Sequence, residues 1–129
     1  MLENFIFEKK TDKSFDEVVA NIENQTAEHK FKVLAVHNVQ ETLAGKGFER
    51  GPLKIIEICN AGFAHQALQK DPRVALFMPC RYAVYTEANK TVVKLLSPSM
   101  ISVMMPEAGL DELAGNVDET MKSIMKASV

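Results

Sequence analysis

Cys59 and Cys80 are the side chains with the most reactive chemistry open to them, and their neighbours in the chain differ. Cys59 closes the run Leu53-Lys54-Ile55-Ile56-Glu57-Ile58-Cys59 and directly precedes Asn60, a helix-capping residue type. A thiol at a helix N-terminus meets free N–H groups and the positive end of the dipole, which lower its pKa. Such a thiolate suits redox or sulfur-transfer chemistry, with Cys59 as nucleophile and Cys80, followed by the cation of Arg81, as resolving thiol. The plainer reading makes both cysteines small buried hydrophobes. Neither has the paired Cys-x₂-Cys spacing of a zinc site. His37, Cys59 and Cys80 are the right residue types for three metal ligands. An antiparallel pairing of their strands, however, sets His37 near the start of the third strand and Cys59 at its far end. At about 3.3 Å per residue that is roughly 15–20 Å, so no metal and no cofactor are expected.

Four polar residues remain as ligand-binding candidates: His37, Glu57, Asn60 and Arg81. Glu57 is the only charge between Ile55 and Cys59, so it lines a pocket or points into water. No second carboxylate stands at a spacing that makes an acid/base pair with it. Gly45-Lys46-Gly47 lacks the Walker pattern and a following helix start. Seven methionines, among them Met100, Met104 and Met105, offer an adaptable apolar lining or ordinary core filling.

These residues must be held by elements that the hydrophobic pattern outlines. Leu2, Phe5 and Phe7 open the chain as a strand that ends at the polar stretch Lys9–Lys13. Ser14 and Glu17 form a capping box, and Phe15, Val18, Val19 and Ile22 continue at helical spacing, giving a helix over residues 15–28. Phe31–His37 reads as a strand, and Gln40–Pro52 as a long connection in which Glu41–Ala44 can form a helical turn. Leu53–Cys59 is a strand. Asn60 caps a short helix that Asp71-Pro72 ends. Val74–Thr86 reads as a strand with Pro79 at an edge or bulge, and Ala88-Asn89-Lys90 turns the chain into a strand over Thr91–Leu96. An irregular or short helical piece follows from Ser97 to Met105. Leu110, Leu113, Ala114, Val117, Met121, Ile124 and Met125 then make one broad stripe, a helix over residues 108–127. The order β-α-β-β-(short α)-β-β-α predicts a two-layer α+β domain spanning 1–129, an antiparallel or mixed sheet of about five strands backed by two longer helices.

Alternation divides each strand between two faces. Leu53, Ile55, Glu57 and Cys59 share one, while Lys54, Ile56 and Ile58 share the other. In the preceding strand Phe31, Val33, Ala35 and His37 oppose Lys32, Leu34, Val36 and Asn38. Both tracks are apolar in the middle, so the face without the long helices needs a cover. The short helix, a ligand or a second subunit would serve, and a symmetric homodimer is the commonest answer.

Composition limits the function classes. The chain has 129 residues, 47% hydrophobic and 25% charged, with 15 Lys+Arg against 17 Asp+Glu for a formal charge of −2. A nucleic-acid partner normally demands a basic excess. No apolar run approaches the roughly 18 residues of a membrane span, and no signal peptide opens the chain, which predicts a cytoplasmic protein without a membrane partner.

Three segments carry a resemblance. They are Val36-His37-Asn38-Val39-Gln40-Glu41-Thr42-Leu43, Ile56-Glu57-Ile58-Cys59-Asn60, and Leu76-Phe77-Met78-Pro79-Cys80-Arg81-Tyr82-Ala83-Val84-Tyr85. Together the chain resembles the bacterial and archaeal family catalogued as domain of unknown function 302, from the first strand to about Pro98. Ala61 departs from the proline that often follows the Cys-Asn pair there. The resemblance implies a β-α-β₄-α sheet similar to the TATA-binding-protein arrangement, and carries no activity onto any residue. Fold alone does not bring DNA binding with it. The expectation is a module that binds a small ligand or a partner without catalysis. The alternative is a thiol-dependent redox or sulfur-handling protein using Cys59 and Cys80.

Overall fold

Five strands form one sheet in the order β1-β5-β4-β3-β2, with every neighbouring pair antiparallel. The strands are β1 (Ile6–Thr11), β2 (Lys32–Asn38), β3 (Leu53–Cys59), β4 (Cys80–Glu87) and β5 (Lys90–Leu96). The helices are α1 (Phe15–Glu28), α2 (Val39–Ala44), α3 (Ala61–Lys70), α4 (Met100–Met104) and α5 (Asp111–Ser128). Short 3-10 turns occupy Leu2–Phe5, Pro72–Phe77 and Pro106–Ala108. This computed structural model describes all 129 residues and has the α+β class that the element order predicts.

The core lies between one face of the sheet and the pair α1 and α5. Val18, Val19 and Ile22 of α1 and Met121, Ile124 and Met125 of α5 meet Ile56 and Ile58 of β3, Tyr82 and Val84 of β4, and Val93 and Leu95 of β5. All are buried, and full burial of one such side chain stabilises by about 1.5–3 kcal/mol. α1 starts where the capping pattern places it, with the Glu17 N–H donating to Ser14 Oγ at 3.2 Å. Tyr82 stands at the centre, and its hydroxyl donates to the Met121 carbonyl at 2.7 Å.

Three local expectations are corrected. β1 continues through Lys9 and Lys10 to Thr11, since those lysines pair with Val93 and Val92, while Leu2–Phe5 coils into a 3-10 turn. Residues 72–77 are a 3-10 turn and no strand, because the Asp71 side chain accepts the Arg73 N–H at 2.9 Å and starts a turn after Pro72. β4 begins at Cys80, directly after Pro79, which has no N–H to donate to the ladder.

A fourth correction concerns β2. Val33 pairs with Ile58, but Ala35 pairs with Glu57, so Leu34 is an extra residue in a β-bulge. Alternation breaks there. Val33 stays on the helix side with Ile58, whereas Ala35 and His37 go to the opposite face, level with Glu57 and Ile55.

Candidate functional site

The bulge brings together two of the candidates. Past it, His37 lies opposite Ile55 and one diagonal step from Glu57, and His37 Nε2 sits 2.7 Å from Glu57 Oε1. An ionised carboxylate only accepts, so this nitrogen carries the proton and donates. Without the extra residue, continuous pairing from Val33–Ile58 would have set His37 against Lys54, on the helix side.

Arg81 is the β4 partner of Glu57 in the sheet register, and both side chains lie on the face away from α1 and α5. They form no ion pair, because Glu57 holds His37 and Arg81 Nη2 donates to the Pro79 carbonyl at 3.2 Å. Asn60 is engaged at both ends of its amide. Its Oδ1 accepts the Phe63 N–H at 3.0 Å, capping α3, and its Nδ2 donates to the Lys30 carbonyl at 3.0 Å. The cap is where the sequence predicts it. Its side chain clasps two connections at one end of the sheet.

Cys59 and Cys80 border one apolar cavity of about 70 Å³ at that same end. Fifteen of its 18 lining residues are hydrophobic. α3 supplies Phe63, Ala64 and Ala67, the 3-10 turn supplies Val74 and Phe77, and α5 contributes Leu113, Ala114 and Val117. Phe31 closes the floor, its ring centroid 5.9 Å from that of Phe63. Both thiols are free. Burial pushes the Cys59 thiol above its ordinary value. Burial foremost, then the neighbouring Cys59, pushes Cys80 up to about 11, against a smaller opposing pull from Arg81. This reverses the lowering that a helix N-terminus suggests for Cys59. The Asn60 side chain already takes one of the N–H groups of α3, and the apolar walls remove the water that a thiolate needs.

His37 does not join the cysteines. It pairs with Ile55, four residues along β3 from Cys59, which itself pairs with Lys32. No place in the structure gathers three or more His, Cys, Asp or Glu side chains around a common centre. One buried carboxylate escaped the sequence reading. Asp118 of α5 accepts from the Ser97 hydroxyl and from Lys122 Nζ, the latter at 2.9 Å. The i,i+4 spacing of Asp118 and Lys122 was the visible signal, while Ser97 comes from the far end of β5.

Sheet, helices and terminal cavity define a small α+β protein in which His37, Glu57 and Arg81 share the sheet face away from α1 and α5, while Asn60 and the two cysteines stand at the end of the sheet beside the cavity. The family model described as "Domain of unknown function DUF302" matches residues 7–128, and the chain belongs to that family. A crystal structure of an uncharacterized conserved DUF302 protein from Bacillus stearothermophilus shares the fold with a TM-score of 0.91. It is 26% identical and covers 97% of this chain and 98% of its own. No curated protein matches the chain. No helix is long and apolar enough to cross a membrane.

Proposed function

We propose that this chain is a small-ligand-binding module without catalysis, taking an apolar group into the cavity between α3, α5 and the end of the sheet. The observation that carries the reading is the lining of that cavity, 15 hydrophobic residues of 18. An empty cavity of about 150 Å³ binds benzene, so the inner 70 Å³ suits a short alkyl group. A second hollow of about 190 Å³ shares Phe77, Pro79, Cys80, Pro98 and Ile101 with it and leaves room for the rest of a ligand. Partial burial, which raises both thiols above their ordinary value and Cys80 the more, disfavours thiolate at neutral pH and supports binding over the thiol-dependent alternative. Two free cysteines also suit the reducing cytoplasm.

Titration with n-pentanol, a neutral probe, is expected to shift the methyl resonances of Ile58, Ile101, Leu110 and Leu113 while leaving Ile22 and Ile124 in place. Ala114→Leu, which fills the cavity, should abolish those shifts. Shifts absent from the native protein, or equal in the filled variant, would remove the reading.

A second copy of the chain is the partner we propose for the face away from α1 and α5. Leu53, Ile55, Ala83, Tyr85 and Val92 alternate onto it. α3 does not cover that face, since it packs beside α5 and the Pro72–Phe77 turn. Sedimentation at micromolar concentration is expected to give twice the mass of the chain. A monomer at that concentration would sink the proposal.

A further inference from the structure

Opposite charges directly across a strand pair ordinarily attract, yet Arg81 leaves Glu57 to His37 and turns toward Pro79. Arg73, by contrast, holds both Asp71 and Glu107. A guanidinium carries five N–H donors in a planar fork that fits a carboxylate with two parallel hydrogen bonds. Only one group on Arg81, Nη2, meets a protein acceptor, the Pro79 carbonyl. The charge is permanent, and no carboxylate of the chain neutralises it.

Arg81 stands on the rim of the outer hollow of about 190 Å³. The walls beside it are apolar: Leu76, Leu96, Met100 and Ile101. Leu76 is 85% exposed and Leu96 41% exposed, so hydrophobic surface is left in water next to a free cation. The other side-chain polar group of the hollow is already satisfied. Ser97 Oγ donates to Asp118 and accepts the Ser99 N–H, and Asp118 is itself balanced by Lys122. No lysine lines the hollow, so it offers one cationic fork, which suits a singly charged head and falls short for a phosphoryl dianion.

We propose that the outer hollow binds a small amphipathic monocarboxylate, its carboxylate paired with the Arg81 guanidinium and its apolar body against Leu96, Met100 and Ile101. This rests on the ligand-binding reading above and specifies the class of ligand. The hollow exceeds the cavity of about 150 Å³ that takes benzene, so a body of about that bulk fits, with a short alkyl end reaching the inner cavity past Ile101. Arginine provides direction as well as charge. A lysine in its place would keep the attraction and lose the two-pronged geometry.

The test is calorimetric or NMR titration of hexanoate, hexanol and inorganic phosphate into the native protein, Arg81→Gln and Arg81→Lys. Arg81 is exposed, and near-ultraviolet circular dichroism verifies that each variant is folded. Hexanoate is expected to bind the native protein more tightly than hexanol. Arg81→Gln should weaken hexanoate about tenfold or more and leave hexanol unchanged, while Arg81→Lys restores part of the loss. Equal hexanoate affinity in the native protein and Arg81→Gln overturns the anchor while hexanol binding keeps the ligand-binding reading intact. Phosphate competing as well as hexanoate overturns the monocarboxylate class. Failure of hexanol and hexanoate alike brings down both.

Discussion

Tyr82→Ala is expected to cost about 3–5 kcal/mol, the range for removing a large aromatic side chain from a core. Tyr82 is fully buried, with α1 and α5 above it and the strands β3 and β5 at its sides. Truncation opens a cavity beneath two helices that cannot both collapse onto it, and it strips the Met121 carbonyl of its phenolic donor. Against a typical total of about 5–15 kcal/mol, that loss leaves a marginal fold. Tyr82→Phe keeps the ring and removes only the hydrogen bond, and should cost about 1–2 kcal/mol. Urea unfolding of the three proteins checks the ordering. A Tyr82→Ala loss no larger than that of Tyr82→Phe would show that the ring is not the keystone of the core.

The second large effect is alkaline destabilisation through Cys80. Its thiol is pushed up to about 11 in the folded state, against an ordinary value of 9.0. Below pH 9 the thiol is protonated in both states and contributes no pH dependence. Between pH 9 and 11 the unfolded chain releases the proton first, so the folded state binds more protons and loses stability as pH rises. The gap corresponds to about 3 kcal/mol, lost completely only above pH 11. Native protein and Cys80→Ala should therefore differ in slope across that window, with the variant's unfolding free energy falling less. Parallel slopes in the two proteins would mean that the thiol is not desolvated.

Features set by adjacent residues were legible in the sequence. Ser14 and Asn60 announce α1 and α3 because a capping side chain bonds to an N–H only three residues on. The Leu53–Cys59 strand and the turn at Ala88 and Asn89, both at positive φ, are equally local. Val74–Phe77 misleads for the opposite reason. Its apolar run suits a strand, but one Asp71 side chain bond and Pro72 redirect the backbone. The His37–Glu57 pair was not legible, since it depends on an added residue at Leu34 that shifts half of β2 against β3. The thiols show a similar divide. The helix that follows Cys59 is visible in the sequence, but the burial that overrides it involves Leu113, Ala114 and Val117, more than 50 residues away.

The bulge also bears on how copies of the chain can associate. β2 is one rim of the sheet and β1 the other, and each exposes unpaired backbone groups along its outer side. At Leu34 the spacing of those groups is broken on the β2 rim, so an incoming strand cannot keep a continuous ladder across it. Lys9 and Lys10 stand on the β1 rim, where a second copy in antiparallel register would bring like charges together. Both features disfavour end-to-end growth into a shared intermolecular sheet, and the two-fold dimer proposed above through the flat of the sheet would close after two copies instead of propagating into a fibre.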